Sequence, residues 1–253
     1  MNGNKFNEFV EIVKRLRKEC PWDREQTNDS IKAATIEEAY EVVESIEKKN
    51  YKELKSELGD LLLHVVFHTV IASEKSGFTI DDVIDSITGK LIRRHPHVFG
   101  EVKVSGSEEV KKNWEEIKLS EGRESVLEGV PEMLPALQRA HRLQEKAAKV
   151  GFDWEKKEDV WKKVIEEIEE MHRSESEGNY DKLEDEVGDV FFAMVNYSRF
   201  LGVNPENALR RTNNKFINRF SYVESRIKES GKKLKDSNLT EMDKFWEESK
   251  RMF

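Results

Sequence analysis

Apolar residues recur along this chain at the spacing of one helix face. In one stretch, Leu54 is followed by Leu58, Leu61, Leu62 and Val65. Intervals of three and four residues are typical of an amphipathic helix, whereas a half-buried strand alternates with a period of two. Residues 183–201 repeat the same pattern. The chain is therefore predicted to have an all-α fold.

The periodicity predicts two successive series of helices. The first lies near residues 4–18, 30–49, 51–76, 79–94 and 107–120, and the second near residues 132–149, 156–177, 179–201, 204–230 and 240–251. Ser30 is predicted to be the N-cap of the second helix, and Gly77 to end the third. Asn204 followed by Pro205 is typical of a helix start and predicts the beginning of the ninth.

The segment between the two series has the composition of a linker. Residues 121–131 contain two glycines and one proline, which interrupt helices. We therefore predict a first helical module at residues 1–120, a linker at residues 121–131 and a second module at residues 132–253.

Composition agrees with a helical protein and narrows its class. Only 13 glycines and 5 prolines occur in 253 residues, while hydrophobic and charged residues each make up 37%. The net charge of -8 argues against a binder of nucleic acid polymers. The single cysteine, Cys20, forms no internal disulfide, and no apolar run approaches the roughly 20 residues that span a bilayer. A cytoplasmic protein that does not enter the membrane is predicted.

The two helical series carry the same acids at the same spacing. Glu37, Glu38, Glu41, Glu57 and Asp60 recur, all at one constant offset in the numbering, as Glu166, Glu167, Glu170, Glu186 and Asp189. Basic and aromatic residues also recur: Lys90 and Arg94 as Lys215 and Arg219, and Trp114 and Lys118 as Trp246 and Lys250. Their offsets differ slightly from that of the acids, as insertions in loops would produce. The pattern predicts duplication of one helical module.

Within each module the acids are predicted to converge. Glu38 and Glu41 share a helix face because they are three residues apart, as do Glu57 and Asp60 on the next helix. The short turn near Asn50 makes those helices antiparallel neighbours. Four converging carboxylates repel one another, and a bound cation relieves the repulsion. Oxygen ligands without cysteine favour Mg²⁺, with Mn²⁺ able to substitute, and the expected ligand is a metal–phosphate complex.

Basic and aromatic side chains that recur with the acids suit a nucleotide. The candidates for binding phosphate oxygens are Lys90, Arg93, Arg94 and Lys118 in the first module and Lys215, Arg219 and Lys250 in the second. Such cations neutralise a polyphosphate and stabilise charge on a leaving group. Trp114 and Trp246 are candidates to present a flat face to a base.

Several segments together resemble one family of enzymes. Residues 37–41, Glu-Glu-Ala-Tyr-Glu, and residues 57–60, Glu-Leu-Gly-Asp, are similar to the E-E-x-x-E and E-x-x-D signature of the MazG nucleoside triphosphate pyrophosphohydrolases. Residues 20–27 and 93–100 resemble that family as well. The similarity spans nearly the whole chain and takes the form of two tandem MazG-like modules.

The resemblance implies a fold, an activity and roles for residues. It implies an all-α fold like a four-helix bundle, a homodimer, and magnesium-dependent cleavage of ribo- or deoxyribonucleoside triphosphates to monophosphate and pyrophosphate. Broad specificity and a housecleaning role in the nucleotide pool are expected. The implied metal ligands are Glu38, Glu41, Glu57 and Asp60, and in the second module Glu167, Glu170, Glu186 and Asp189. Glu37 and Glu166 would orient or deprotonate water.

The modules also differ, so their activities need not be equal. The second has Gly-Phe-Asp-Trp at residues 151–154 in place of the Cys-Pro-Trp-Asp segment, and Asn218 opposite Arg93. The first is slightly favoured as the active one, although the acids are complete in both. His64 and His68 lie opposite Ala193 and Tyr197, so we predict a packing or surface role for the two histidines.

Other classes of protein stay open. The main alternative is a non-catalytic module that binds metal or nucleotide without turnover, and an assay for pyrophosphate separates the two. A di-iron carboxylate bundle fits poorly, because its Glu-x-x-His motif has Glu or Asp in the place of histidine here. A helical scaffold with surface acids would show no shift in melting temperature with ligand.

Overall fold

The computed structural model describes residues 3–75, 77–122 and 125–253, and the regular structure within these ranges is entirely helical. The prediction of an all-α fold is confirmed. The chain divides into two compact units, Met1–Ser105 and Gly106–Phe253. This division precedes the helix at residues 107–120, and the linker at residues 121–131 stays a prediction. No helix in the described ranges is both long and apolar enough to cross a membrane.

The first unit is built around one central helix. Its described helices are α1 (Gly3–Glu19), α2 (Pro21–Glu25), α3 (Asn28–Glu47), α4 (Tyr51–Ser73), α5 (Ile80–Arg94) and α6 (Pro96–Phe99). The buried core consists of Val10 and Val13 from α1, Ile31 from α3, and Val66, Phe67, Val70 and Ile71 from α4. Burial of such a side chain is worth about 1.5–3 kcal/mol. The core therefore fixes α4 against α1 and α3.

A tight turn makes α3 and α4 antiparallel neighbours. Lys49 adopts the left-handed conformation with φ of 54°, and the Asn50 N–H donates to the Ser45 carbonyl at 3.0 Å. The Asn50 side chain then accepts from the Glu53 N–H at 3.3 Å, which caps α4. The turn ends one helix and begins the next within three residues, as the sequence predicts.

The second unit contains a corresponding pair of antiparallel helices joined by a tight turn. Its described helices are α7 (Ser107–Ser120), α8 (Ala136–Lys149), α9 (Lys157–Glu177), α10 (Tyr180–Phe200), α11 (Pro205–Glu229) and α12 (Leu239–Ser249), with a 3₁₀ turn at Leu234–Asp236. Gly178, with φ of 68°, ends α9, and the Asn179 side chain accepts from the Lys182 N–H at 3.2 Å to cap α10. The fully buried apolar side chains are Val160, Val164, Val195, Val223 and Ile227.

Each long helix that the periodicity predicts has a counterpart in the described ranges, but some boundaries differ. The prediction of Ser30 as N-cap was wrong. Thr27 caps α3, and Ser30 completes a capping box with reciprocal bonds of 3.1 and 2.9 Å. α4 ends before Gly77, whose N–H donates to the Ala72 carbonyl at 3.2 Å. The start of α11 at Asn204 and Pro205 is confirmed.

Candidate metal centres and an adjoining pocket

The α3–α4 pair brings three acids of the first module together. Carboxylate oxygens of Glu38, Glu41 and Glu57 lie within 4.8 Å of one another, and we call these residues the first carboxylate cluster. Glu38 and Glu57 are partly buried and Glu41 is exposed. Asp60 lies one helical turn beyond Glu57 and is close enough for its charge to act on Glu38. Three of the four acids that were predicted to converge therefore form one group on the α3–α4 pair, and Asp60 lies outside it.

Crowding disfavours the charged forms of these acids. Burial raises the pKa of Glu38, and the negative charges of Glu41 and Asp60 raise this pKa further. Burial also raises the pKa of Glu57, together with a hydrogen bond and like charge from Glu41. Repulsion of this kind is relieved either by protonation or by a cation.

A polar network next to the first cluster was not predicted from the sequence. The Thr35 hydroxyl lies 2.9 Å from His64 Nδ1 and 2.8 Å from His68 Nε2, and it donates to the Ile31 carbonyl at 3.1 Å. His64 Nε2 lies 4.0 Å from a carboxylate oxygen of Glu38. The two histidines are partly buried and hydrogen-bonded, so a description as packing or surface residues is incomplete.

The second module has a corresponding group of acids with different membership. Carboxylate oxygens of Glu167, Glu186 and Asp189 lie within 4.8 Å of one another, and these residues form the second carboxylate cluster. Glu167 and Glu186 are buried, with 7% and 9% of their surface exposed. Symmetry with the first cluster would make Glu170 the third member of this group. Glu170 lies outside it, and the third member is Asp189 instead.

Two lysines that the sequence analysis did not select contact the acids of the second module. Lys163 Nζ lies 2.7 Å from Glu166 and 2.8 Å from Glu167, and these hydrogen bonds raise the pKa of Lys163. Lys182 Nζ lies 3.9 Å from Glu186. At the offset that relates the acids of the two modules, Ala34 and Glu53 take the places of these lysines in the first module. A search for differences between the modules, rather than for matches, would have found them.

A pocket of about 620 Å³ opens beside the second carboxylate cluster. Lys163, Glu167 and Asp189 are among the residues that line it. The rest of the wall is mostly apolar and aromatic, and includes Leu127, Leu143, Ala147, Phe152, Trp154 and Phe192. The volume lies within the range that small-molecule sites of proteins usually have, about 300–1,000 Å³.

Polar groups are placed at defined points of this pocket. Gln144 is 8% exposed and its Nε2 donates to the Phe192 carbonyl at 2.9 Å, whereas its Oε1 has no hydrogen-bond partner among the described residues. Arg199 holds Asp153 through bonds of 2.9 and 2.5 Å and also donates to Asn196. A buried acceptor without a partner is costly, so Gln144 is ready to accept from a ligand.

The predicted basic residues of the first module lie on two helices. Lys90, Arg93 and Arg94 are in the last turns of α5. Trp114 and Lys118 are on α7, in the second compact unit, where Lys118 Nζ lies 5.9 Å from the centroid of the Trp114 ring. Their phosphate-binding and base-binding roles stay predictions.

The predicted basic residues of the second module gather on α11 and α12. The Arg219 guanidinium lies 5.9 Å from the Trp246 ring centroid and donates to the Phe253 carbonyl at 2.7 Å. Trp246 also packs against Phe216, with 5.2 Å between ring centroids. Lys250 pairs with Glu247, and Lys215 is exposed. Within the described residues, the cations that contact the second cluster are instead Lys163 and Lys182.

Comparison with known proteins gives a consistent family. The model of the MazG nucleotide pyrophosphohydrolase domain matches residues 26–99 and 155–223. A Thermotoga maritima protein named nucleoside triphosphate pyrophosphohydrolase/pyrophosphatase MazG is 44% identical, over 98% of this chain and 96% of its own length. An Escherichia coli nucleoside triphosphate pyrophosphohydrolase is 41% identical over 98% of both chains. The uncharacterized protein YabN of Bacillus subtilis is 47% identical over 98% of this chain and 52% of its own. The chain therefore belongs to the MazG nucleotide pyrophosphohydrolase family and carries the family's domain twice.

Proposed function

We propose that this protein hydrolyses nucleoside triphosphates to nucleoside monophosphates and pyrophosphate, with Mg²⁺ as cofactor and Mn²⁺ able to substitute. The observation that carries the proposal is the second carboxylate cluster, which opens directly on a pocket of about 620 Å³. The family of the chain and the names of its relatives support the same reaction. In this reaction water cleaves the bond between the α- and β-phosphoryl groups.

The donor groups of both modules fit a hard divalent cation. The proposed ligands are Glu38, Glu41, Glu57 and Asp60 in the first module, and Glu167, Glu170, Glu186 and Asp189 in the second. They offer oxygen atoms only, which Mg²⁺ and Mn²⁺ prefer. When bound, the metal supplies positive charge that offsets charge on the phosphoryl oxygens and lowers the pKa of water.

We propose that the second module binds the nucleotide. A base against Phe152 and Trp154 would leave its phosphates to reach Lys163 and the carboxylates that line the same pocket. The free Oε1 of Gln144 would accept a hydrogen bond from an N–H of the base. The fuller sequence signature favours the first module, whereas the pocket favours the second.

The remaining residues have proposed roles around the phosphates. Glu166, which accepts a hydrogen bond of 2.7 Å from Lys163, is proposed to accept a proton from water, and Glu37 is its counterpart. The proposed contacts to phosphate are Lys90, Arg93, Arg94, Lys118, Lys215, Arg219 and Lys250. Trp114 and Trp246 are proposed to flank the nucleotide.

Two broader features complete the proposal. An apolar wall contacts any base in a similar way, so we propose broad specificity and a housecleaning role in the nucleotide pool. We also propose a homodimer, because α5 buries no residue within the described chain and exposes its apolar face. That face includes Ile84, Ile87, Leu91 and Ile92, each 41–48% exposed.

Product analysis tests the proposed reaction. The full chain is incubated with ribo- and deoxyribonucleoside triphosphates in Mg²⁺ or in EDTA, and products are separated by anion-exchange chromatography. Equal amounts of monophosphate and pyrophosphate in Mg²⁺, and neither in EDTA, are expected. The control carries both Glu57→Gln and Glu186→Gln. Formation of diphosphate and inorganic phosphate would contradict the proposal, and metal binding without turnover would favour the non-catalytic binding module.

A further inference from the structure

The two carboxylate clusters differ in the positive charge built beside them. In the second cluster, Lys163 lies 2.8 Å from Glu167 and Lys182 lies 3.9 Å from Glu186. Because Glu167 is only 7% exposed, its pairing with Lys163 is poorly screened by water. The second cluster thus carries part of its own neutralising charge.

The first module has no lysine at either of the two equivalent positions. Ala34 stands where the second module has Lys163, and Glu53 stands where it has Lys182. Within the described residues of the first unit, no lysine or arginine forms an ion pair with Glu38, Glu41 or Glu57. The side chain that approaches these acids is His64, at 4.0 Å from Glu38.

From this contrast we propose that the first cluster binds a divalent cation without nucleotide, whereas the second binds one strongly only together with a triphosphate, because Lys163 acts as a built-in counter-cation. This inference rests on the proposed function, which assigns metal to both clusters. At the first cluster, an incoming cation meets acids with which no lysine or arginine of the described residues forms an ion pair. At the second, it is repelled by the ammonium that already pairs with Glu167.

A triphosphate reverses the balance at the second cluster. Its negative charge offsets Lys163, so the nucleotide raises the affinity of the second cluster for the cation. By thermodynamic linkage, the cation raises the affinity for the nucleotide by the same factor. The second module therefore takes up metal and substrate together, and the first is loaded beforehand.

Binding of Mn²⁺ to the full chain, followed by electron paramagnetic resonance without nucleotide, tests this difference. We expect a tight class of Mn²⁺ that Glu57→Gln removes and Glu186→Gln retains. The modules also offer a reciprocal exchange at one helix position. Ala34→Lys should weaken the tight class by about tenfold or more, and Lys163→Ala should tighten the second site by a similar factor. Circular dichroism of each variant verifies its folding.

The outcomes separate this inference from the proposed function. Equal affinities of the two sites in the wild-type chain, or loss of the tight class in Glu186→Gln rather than in Glu57→Gln, would overturn the inference while magnesium-dependent pyrophosphate release continued. A chain that binds no Mn²⁺ with or without a triphosphate, and releases no pyrophosphate, would overturn the proposed function itself.

Discussion

Glu38 and Glu167 occupy equivalent positions in the two modules, yet their surroundings are opposite in charge. Burial and the negative charges of Glu41 and Asp60 raise the pKa of Glu38, whereas Glu167 pairs with Lys163 at 2.8 Å. Removing the charge of Glu38 should therefore change stability in one direction, and removing the charge of Glu167 should change it in the other. The contrast can be measured on the protein without any substrate.

We expect Glu38→Gln to stabilise the metal-free protein at neutral pH. The folded state raises the pKa of Glu38 above its ordinary value of 4.5, so the folded state binds the proton more tightly than the unfolded state. This stabilisation is fully present below the unfolded pKa and is lost as pH rises through the folded pKa. Scanning calorimetry in EDTA should show a smaller fall of melting temperature with pH above 4.5 in the variant.

Glu167→Gln is the matched control, because it removes the charge of one of the two partners of Lys163 instead of relieving repulsion. A lower melting temperature is expected for it under the same conditions. If Glu38→Gln also lowered the melting temperature in EDTA at neutral pH, repulsion within the first cluster would not govern the stability of this site.

The pair of Arg199 and Asp153 should affect substrate binding more than turnover. The two side chains are 17% and 27% exposed, and their bonds tie Asp153, between the pocket residues Phe152 and Trp154, to α10. In Asp153→Asn we expect KM for a nucleoside triphosphate to rise about fivefold or more, with kcat changed less than about twofold. Steady-state kinetics measure both quantities.

Asp159→Asn provides the control for that variant. Asp159 pairs with Lys162, whose side chain is 77% exposed, so this ion pair contributes little. A change in KM of the same size in both variants would show that the pocket wall is not what the Arg199 pair controls.

At the scale of elements, the caps of α4 and α10 fix the carboxylate-bearing helices. Asn50 and Asn179 hold equivalent positions in the two modules and accept from the N–H groups of Glu53 and Lys182 at 3.3 and 3.2 Å. Each cap begins a helix two turns before its first ligand candidate. Loss of a cap should therefore lower stability and loosen the cluster that follows.

We expect Asn50→Ala and Asn179→Ala each to reduce the free energy of unfolding by about 1 kcal/mol. Urea denaturation measures this change. Asn50→Ser and Asn179→Ser should retain most of the stability, because serine also caps helices. Equal losses for alanine and serine would mean that the amide contributes through another contact.

The elements that could be predicted are those with a repeated or periodic pattern. Long helices followed from apolar spacing, because several turns in succession give the same interval. The helices α2 and α6 are too short to show a period, although Pro21 and Pro96 are at their first positions. The N-cap of α3 was predicted at Ser30 instead of Thr27 because both residue types can cap a helix.

The residues of the candidate site likewise divide into those that could be predicted from the sequence and those that could not. The acids were predictable because both modules carry them and because three-residue spacing puts them on one helix face. Gln144 was not, since the pocket is assembled from α8, α9, α10 and residues 151–154, and only their packing shows that the Gln144 Oε1 has no partner among the described residues. Lys163 could have been found, because it lies three and four residues before Glu166 and Glu167 on one helix, where the first module has Ala34.

At the scale of the whole molecule, the two copies of the helical module differ in the side chains that surround their acids. Both modules bring carboxylates together across an antiparallel helix pair. The second adds lysines and a pocket to its acids, whereas the first adds a network of Thr35, His64 and His68. Our proposal accordingly assigns nucleotide binding to the second module and binding of a cation alone to the first.

The most direct measurement compares magnesium-dependent pyrophosphate release by the full chain carrying either Glu186→Gln or Glu57→Gln. The two residues are equivalent in the repeat, and each belongs to one carboxylate cluster. We expect Glu186→Gln to lower kcat/KM by about 100-fold or more, and Glu57→Gln to retain most of the activity. Wild-type turnover by Glu186→Gln in Mg²⁺ would contradict the assignment of nucleotide hydrolysis to the second cluster and its pocket.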